Sequence, residues 1–525
     1  MHKIKKYLVL LVIITIFLLF TSQQTPSNNV NGFSAAPGSF EILSNYQGKS
    51  NVLKVNRSKT DWYIARYSLS QYRGKEIFIE FSVEVRCEGS SGSLGWLINN
   101  SNYPAISWID NVSSGQWQTM KGKMIIIPTS NDPILFFSSG EMPSNTTVYI
   151  ANPVITITEG NPLTPDLSLK PLKEIYANDF LIGQISSHNG LYLTGKYLDI
   201  FKHHYNRVTF NAVYPHMIIP KTKGAAYDFT NADNILNIAV RNNIQVYGHP
   251  LVYHGDSGEP DWMFEGTRED IIQNMNNHIT TMLRHFRGRI NTWEVVNEAL
   301  KRDVSSAEAR GDWKRCVVSS HNSTWTDNHW FNKLGADYIE LAFRAARAAD
   351  PNITLYINDD FQDVNMAEVG RKMILDINNR YKKETGENRN LIEGVGIQIH
   401  PHGLNYNVNN LRSIIQKFTD LGIEIVISEL DVSTVGHARG EGNDTVISER
   451  DAMTQALIYA RLFSLFREFS AHIKSVTFWD IDDGNSWLSA GNPTLFDFRL
   501  NAKPAFFAVS DPDGFIRQHG GRTRR

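Results

Sequence analysis

The stretch Thr292-Trp293-Glu294-Val295-Val296-Asn297-Glu298-Ala299-Leu300 decides how this chain folds. Trp293, Val295 and Val296 suit a buried strand, and the strand turns polar at Asn297-Glu298. A carboxylate at the mouth of an apolar strand is costly to bury unless something uses or pairs it. A second segment repeats the form: Ile423-Glu424-Ile425-Val426-Ile427-Ser428-Glu429-Leu430-Asp431 is an apolar run that ends in Glu429.

These two place strands at Thr292–Asn297 and Glu424–Ser428, and outward from them further strands are expected at Leu181–Gln184, Arg207–Phe210, Gln245–Pro250, Thr354–Asn358, Gly394–His400 and Ser475–Trp479. Helical periodicity falls between them at Ala232–Asn242, Arg268–Phe286, Leu334–Ala349, Met366–Tyr381, Val408–Leu421 and Glu449–Phe469. Strands alternating with helices in this number predict an α/β fold, a (β/α)8 TIM barrel, whose chemistry sits at the C-terminal strand ends. Two strand-end carboxylates are what hydrolysis of a glycosidic bond needs. One gives a proton to the leaving oxygen; the other attacks the sugar carbon or activates a water.

Residues 170–515 resemble the family-10 glycoside hydrolases, the xylanase family. Trp293–Leu300 looks like the acid/base segment of that family and Ile427–Asp431 like its nucleophile segment. Four more segments follow the family's order: Gly248-His249-Pro250-Leu251-Val252-Tyr253-His254, Tyr356-Ile357-Asn358-Asp359, Gly394-Val395-Gly396-Ile397-Gln398-Ile399-His400, and Thr477-Phe478-Trp479-Asp480 running to Ser486-Trp487. Leu495-Phe496-Asp497 and Lys503-Pro504-Ala505-Phe506 fit its tail.

The resemblance implies a retaining endo-β-1,4-xylanase. Glu298 is then the general acid and later the general base, which calls for a raised pKa, and Glu429 is the ionised nucleophile. His400 resembles the histidine that bonds the nucleophile, and Asn297 the asparagine that binds the 2-hydroxyl of the sugar being cleaved. His249 and Gln398 match further polar residues of the cleft. Trp479 and Trp487 match two tryptophans that wall the cleavage subsite. No metal and no cofactor are implied; Asp431, Asp480, Asp482 and Asp483 are expected to support neighbouring residues or to face solvent. The segment between Lys301 and Lys333, rich in Trp, Ser and Asn, follows the acid/base strand and is expected to wall the cleft.

The chain departs from the family after the second strand, at Val208-Thr209-Phe210-Asn211-Ala212-Val213-Tyr214-Pro215-His216-Met217. Ala212 stands where the family has Asn and Pro215 where it has Lys; a one-residue slip makes Asn211 the equivalent but restores no Lys. Tyr253 replaces a Trp and Pro250 a Thr. These changes cluster on the non-reducing side of the cleft, so altered recognition there, of a decorated or different β-glycan, is the alternative reading. A third reading, from another class, is a catalytically weak polysaccharide-binding protein; the presence of both glutamates speaks against it.

The rest of the chain frames that domain. Its 525 residues allow more than one domain, and a net charge of −2 argues against nucleic acid as a partner. The partner expected is a polysaccharide, and the protein a monomer. The 11 Trp, 20 Tyr and 27 Phe provide both core and sugar-stacking faces. The two cysteines, Cys87 and Cys316, fall in different domains and make no disulfide framework. Residues 1–22, with Lys3, Lys5 and Lys6 before an apolar run from Tyr7 to Phe20, read as a secretory signal peptide. The run is short for a membrane span, and an uncleaved anchor is the alternative to secretion. Residues 23–35 read as a flexible leader.

Residues 36–158 hold short apolar runs at Trp62–Tyr67, Ile77–Val85, Met124–Pro128, Ile134–Phe137 and Val148–Ile157, divided by turn residues. The spacing predicts an all-β jelly-roll sandwich. Gly115-Gln116-Trp117-Gln118 and Tyr149-Ile150-Ala151-Asn152-Pro153-Val154 resemble the family-22 and family-4/9 carbohydrate-binding modules. Among Trp62, Trp96, Tyr103 and Trp108, one or two are expected to face ligand and the others to be core. Residues 159–172, with Pro162, Pro165 and Pro171, read as a linker, 173–515 as the hydrolase domain and 516–525 as a tail.

Overall fold

The computed structural model describes residues 29–30, 33–35, 40–56, 65–89, 92–99, 105–112, 114–138, 146–160, 163–187, 190–253, 259–318, 329–401, 403–435, 447–488 and 491–520. The expected signal peptide, most of the leader, Trp62, Tyr103 and His254 lie outside them. The chain divides into two compact units, one ending at Pro162 and one beginning at Leu163. Among the described residues no helix is long and apolar enough to cross a membrane.

The first unit is all β. Its strands are β1 (Asn29–Val30), β2 (Phe33–Ala35), β3 (Phe40–Tyr46), β4 (Lys49–Asn56), β5 (Ala65–Ser68), β6 (Ile77–Glu88), β7 (Gly92–Ile98), β8 (Ala105–Val112), β9 (Gln118–Ile126), β10 (Ile134–Ser138) and β11 (Thr147–Glu159). They form two sheets, β1-β2-β5-β10-β7-β8 and β3-β4-β11-β6-β9. Strand β6 shows why they pack. Ile77, Ile79, Phe81, Val83, Val85 and Cys87 are buried, while Glu80, Ser82, Glu84 and Arg86 on the other face are only partly so. That period-2 alternation turns one face to a shared core. The core contains Trp96, packed between Phe81 and Phe137 at ring distances of 4.9 and 5.2 Å. Trp96 is therefore a core residue and not a ligand face.

The second unit is a closed barrel of eight parallel strands in sequence order: β12 (Leu181–Ile185), β13 (Arg207–Phe210), β14 (Gln245–Gly248), β15 (Thr292–Asn297), β16 (Thr354–Asp359), β17 (Gly394–Ile399), β18 (Glu424–Leu430) and β19 (Ile473–Phe478). Strand β17 is buried at every residue, as a parallel strand covered on both faces requires. Glycine there answers a steric need: a Cβ on Gly396 would stand 2.2 Å from Asn358 Oδ1.

Helices clothe the strands. Arg268–His285 opens on a capping box between Thr267 and Asp270 and buries Ile271, Met275, Ile279, Met282 and Leu283. Each such side chain contributes about 1.5–3 kcal/mol on burial. Helix Val364–Thr385 is capped by Asp363 and ends at Gly386, whose φ of 72° stops it. The last helix, Pro512–His519, runs into the residues read as a tail.

Candidate active site

Two irregularities aim the site. The pairing of β15 with β16 shifts register between Glu294 and Val296, and that of β17 with β18 between Ile397 and Gln398. Bulges of this kind re-aim side chains at a strand end. After the second shift Gln398 stands opposite Glu429. Just past β15, Glu298 takes a φ of 53°, a left-handed conformation that costs a side-chain-bearing residue about 1–2 kcal/mol. Its N–H donates to Asn358 O at 2.9 Å, which holds the kink.

The two carboxyls meet at one amide. Gln398 Nε2 donates to Glu298 Oε1 at 3.1 Å and to Glu429 Oε1 at 2.9 Å. The two oxygens bonded to that nitrogen are therefore at most about 6 Å apart. Gln398 Nε2 also reaches Asn297 Oδ1 at 3.3 Å. Asn358 Nδ2 bridges Asn297 Oδ1 at 3.0 Å and Glu429 Oε1 at 3.1 Å, and its own Oδ1 accepts from Ser428 Oγ at 2.5 Å. The Glu298 side chain keeps 16% of its surface exposed and that of Glu429 7%, so Glu298 is the more open of the two.

His400 completes the grip on Glu429. Its Nε2 lies 3.0 Å from Glu429 Oε2 and its Nδ1 2.9 Å from Asp431 Oδ2. Burial alone would lower the pKa of this imidazole, but Asp431 and Glu429 outweigh burial and hold it well above the usual histidine value. Both nitrogens then donate. Asp431 Oδ2 also accepts from Trp487 Nε1 at 2.8 Å, which fixes that indole against His400 with ring centres 5.1 Å apart. Trp479 approaches the edge of the same histidine at 6.4 Å and that of His249 at 5.6 Å.

Below, His249 Nδ1 lies 2.9 Å from Glu294 Oε2, with both side chains buried. Burial pushes the Glu294 carboxyl up to about 7 against the pull of His249. The His249 pKa is itself raised, because Glu294 overcomes burial. Tyr214 Oη bonds His249 Nε2 at 3.0 Å, and its ring lies 5.8 Å from that of His216 and 5.9 Å from that of Tyr253. Asn211 is buried and accepts from Ser186 Oγ at 2.8 Å; Ala212 is buried, and Pro215 opens the short helix Pro215–Ile218.

All eight residues singled out from the sequence stand together at the mouth of the barrel: His249, Asn297, Glu298, Gln398, His400, Glu429, Trp479 and Trp487. Sequence reasoning passed over Asn358, Glu294 and Arg302 as site residues. Asn358 carried the available signal, since it too ends an apolar strand in polarity. The acids after β18 and β19 take the first of their two expected roles, the support of neighbouring residues. Asp431, Asp480, Asp482 and Asp483 are all buried and none faces solvent. Burial lifts Asp480 and Asp482 each to about 7. Asp480 accepts from Tyr192 Oη at 3.0 Å and from the Trp487 N–H at 3.1 Å, Asp482 from the Gly484 N–H at 2.8 Å, and Asp483 pairs with Lys503 at 2.9 Å. They are scaffold for the tryptophan wall. Of the segment after β15, the described part forms a helix at Ser306–Arg310 and returns to bridge Leu300 through Val317; residues 319–328 lie outside the described set.

Comparison with known proteins agrees with this geometry. The model described as Glycosyl hydrolase family 10 matches residues 171–512. The chain is 30% identical over 444 residues to the exoglucanase XynX of Acetivibrio thermocellus, covering 80% of this chain and 37% of that one. It is 30% identical over 493 residues to endo-1,4-beta-xylanase A of Thermoanaerobacterium saccharolyticum, covering 90% of this chain and 39% of that one. The chain thus spans under two fifths of the length of either relative. Among solved structures, a GH10 xylanase with a bacterial Ig-like domain, from termite gut, superposes with a TM-score of 0.60 at 25% identity, over 81% of this chain and 94% of that one.

Proposed function

The chain belongs to glycosyl hydrolase family 10, and from that premise we propose that it is an endo-acting, retaining hydrolase of β-1,4-xylan working through Glu298 and Glu429. In the first step a Glu429 oxygen bonds to the anomeric carbon. The bond from that carbon to the leaving oxygen breaks, and Glu298 delivers its proton to that oxygen. In the second, Glu298 takes a proton from water, which displaces Glu429 and restores the β configuration. Asn297 and Asn358 stand beside the nucleophile, and a hydrogen bond to the sugar that tightens in the transition state adds to rate as well as to affinity.

One observation carries the retaining reading: the two carboxyls share the Gln398 amide, which caps their nearest oxygens at about 6 Å. Retaining enzymes hold the carboxyls about 5–5.5 Å apart, and inverting ones about 6.5–9.5 Å, to admit a water. NMR of the first product released from a xylo-oligosaccharide is expected to show the β anomer. An α product would remove the mechanism.

A second reading keeps the mechanism and changes the sugar. Tyr214, which lies between Ala212 and Pro215 in the sequence, is bonded to His249 and grouped with His216 and Tyr253. It offers an aromatic edge and a phenol where the family offers an ammonium. Losing a hydrogen bond to a charged partner costs about 1.5–3 kcal/mol, or roughly tenfold to a hundredfold in rate or affinity. Plain xylotetraose should then be cleaved slowly and substituted oligosaccharides comparatively well. Rates on xylotetraose at the level of other family members, with no gain from decoration, would reject this reading. Export is part of the proposal, supported by Lys3, Lys5 and Lys6 before the Tyr7–Phe20 run. Sequencing the N-terminus of protein recovered from the medium tests it against a retained anchor.

A further inference from the structure

Acidic groups gather around Glu298, two of them, Asp359 and Glu294, with pKa values raised by burial. Glu429 stands across the site on β18; Asp359 ends β16 with Asp360 next to it; Glu294 lies beneath on β15. Each of Asp359 and Glu294 feels the charge of Glu298. From β17 come the neutral Gln398 and the cationic His400, which is already committed to Glu429 and Asp431. From β14 come His249, paired with Glu294, and the phenol of Tyr253. Among the described residues one further cation faces this carboxyl. Arg302 Nη2 is 3.9 Å from Glu298 Oε2, and its Nε is 3.4 Å from Asp360 Oδ2.

The segment that carries Arg302 is fixed on both sides. The Leu300 N–H donates to Asp359 Oδ2 at 2.9 Å, the Lys301 N–H to Cys316 O at 2.9 Å, and the Val304 N–H to Arg302 O at 3.1 Å. Asp360 is in turn braced by Gln362, whose Nε2 donates to it at 2.6 Å and reaches the His400 carbonyl at 3.4 Å.

We propose that Arg302 is a positioning residue for the acid/base carboxylate. Its guanidinium, shared between Glu298 and Asp360, offsets the surrounding negative charge and so sets how readily Glu298 gives up its proton. Without it the carboxyl would hold its proton more tightly and turn from acid to base less readily between the two steps. The roles of Glu298 and Glu429 assumed here rest on the function proposed above. The sign is definite. A nearby cation favours the carboxylate, so removing it raises the carboxyl pKa. Replacing Asp360 by Asn removes a nearby anion and releases the guanidinium to Glu298, so it lowers that pKa.

The test is a 13C NMR titration of the Glu298 side-chain carboxyl in the full chain, assigned by its loss in Glu298→Gln, alongside the pH profile of kcat/KM on soluble xylan. Arg302→Gln is expected to raise the carboxyl midpoint and the alkaline limb together by about half a pH unit, given the 3.9 Å separation and the exposure of the guanidinium. Asp360→Asn should move both the other way, and Arg302→Lys should lie between Arg302→Gln and the parent. The acid limb should stay put in all three. A midpoint unmoved in Arg302→Gln, a shift of the same sign in Arg302→Gln and Asp360→Asn, or a uniform loss of rate with no change of profile would overturn the proposal. Should Arg302→Gln not fold, Arg302→Lys and Asp360→Asn decide it by the same signs. Since the NMR midpoint needs no substrate, an inactive parent with shifted midpoints rejects the xylanase reading and leaves this one standing.

Discussion

At the scale of single residues, the two glutamates separate by what each touches. Glu429 takes hydrogen bonds on both oxygens from Gln398, Asn358 and His400, a setting that holds an anion in one orientation. Glu298 accepts from the Gln398 amide and is the more exposed of the two. Glu429→Ala is expected to abolish turnover on every substrate. Glu298→Ala should spare aryl glycosides with good leaving groups, which need no proton, and azide should restore much of its lost rate. Equal loss on all substrates in both variants, beyond rescue by azide, would mean that the acid is misassigned. Asp431 ties His400 to Trp487, so Asp431→Asn weakens two contacts at once. Each weakened charge-assisted bond costs up to about 1.5–3 kcal/mol, so kcat is expected to fall tenfold or more and the melting temperature to drop with it. An unchanged kcat would leave the wall of the cleft independent of the nucleophile. The residues at strand ends were legible in the sequence because a polar pair closing an apolar run is conspicuous. Arg302 was not, because its meaning lies in its distance to Asp360, 58 positions away, and only barrel closure sets that distance.

At the scale of elements, the strands of the barrel were legible because parallel strands covered on both faces read as apolar runs. β13 and β15 have the bounds expected, and the others differ by a residue or two at one end, or at both for β19. Several helices were not, and two cases have a plain physical reason. The run expected from Leu334 to Ala349 is broken: one helix ends at Leu334 and the next begins at Asp337, because Gly335 takes a φ of 64°. The helix Gly195–His204 opens on a glycine and closes on two histidines, so local propensity hid it. The loop after β19 carries the stability prediction. Burial lifts Asp480 and Asp482 to about 7, well above an unfolded aspartate near 4. Between those values the folded chain binds more protons than the unfolded one, so these groups make stability fall as pH rises from about 4 to about 7. The contribution is at most about 4 kcal/mol per group. Urea midpoints across that range should decline for the parent and decline less for Asp480→Asn. An equal slope in the variant would show that Asp480 titrates as it does in the unfolded chain.

At the scale of the whole molecule, the all-β region was legible as a sandwich from turn spacing, yet β3, β4, β7 and β8 were not picked out. Their residues alternate less cleanly, and Gly92, Gly95 and several Ser and Asn interrupt them. The unit has a hydrophobic core of its own, built from both sheets around Trp96 and Phe81. A domain with its own core folds alone, so residues 36–158 expressed without the barrel are expected to give a cooperative thermal transition. The face of the second sheet turned away from that core carries a smaller aromatic group. Tyr46 and Tyr149 stack at 4.1 Å and 8°, with Trp117 half-buried beside them and Glu88 bonded to both phenols. An aromatic face flanked by hydrogen-bonding groups suits the apolar face and hydroxyl rim of a sugar ring. The isolated unit should therefore be retarded in gels containing soluble xylan or a related glucan, without releasing reducing sugar, and Trp117→Ala should run faster than the parent unit. Retardation on no plant polysaccharide would reduce the unit to a spacer. Retardation unaffected by Trp117→Ala would keep the binding and move it to another face.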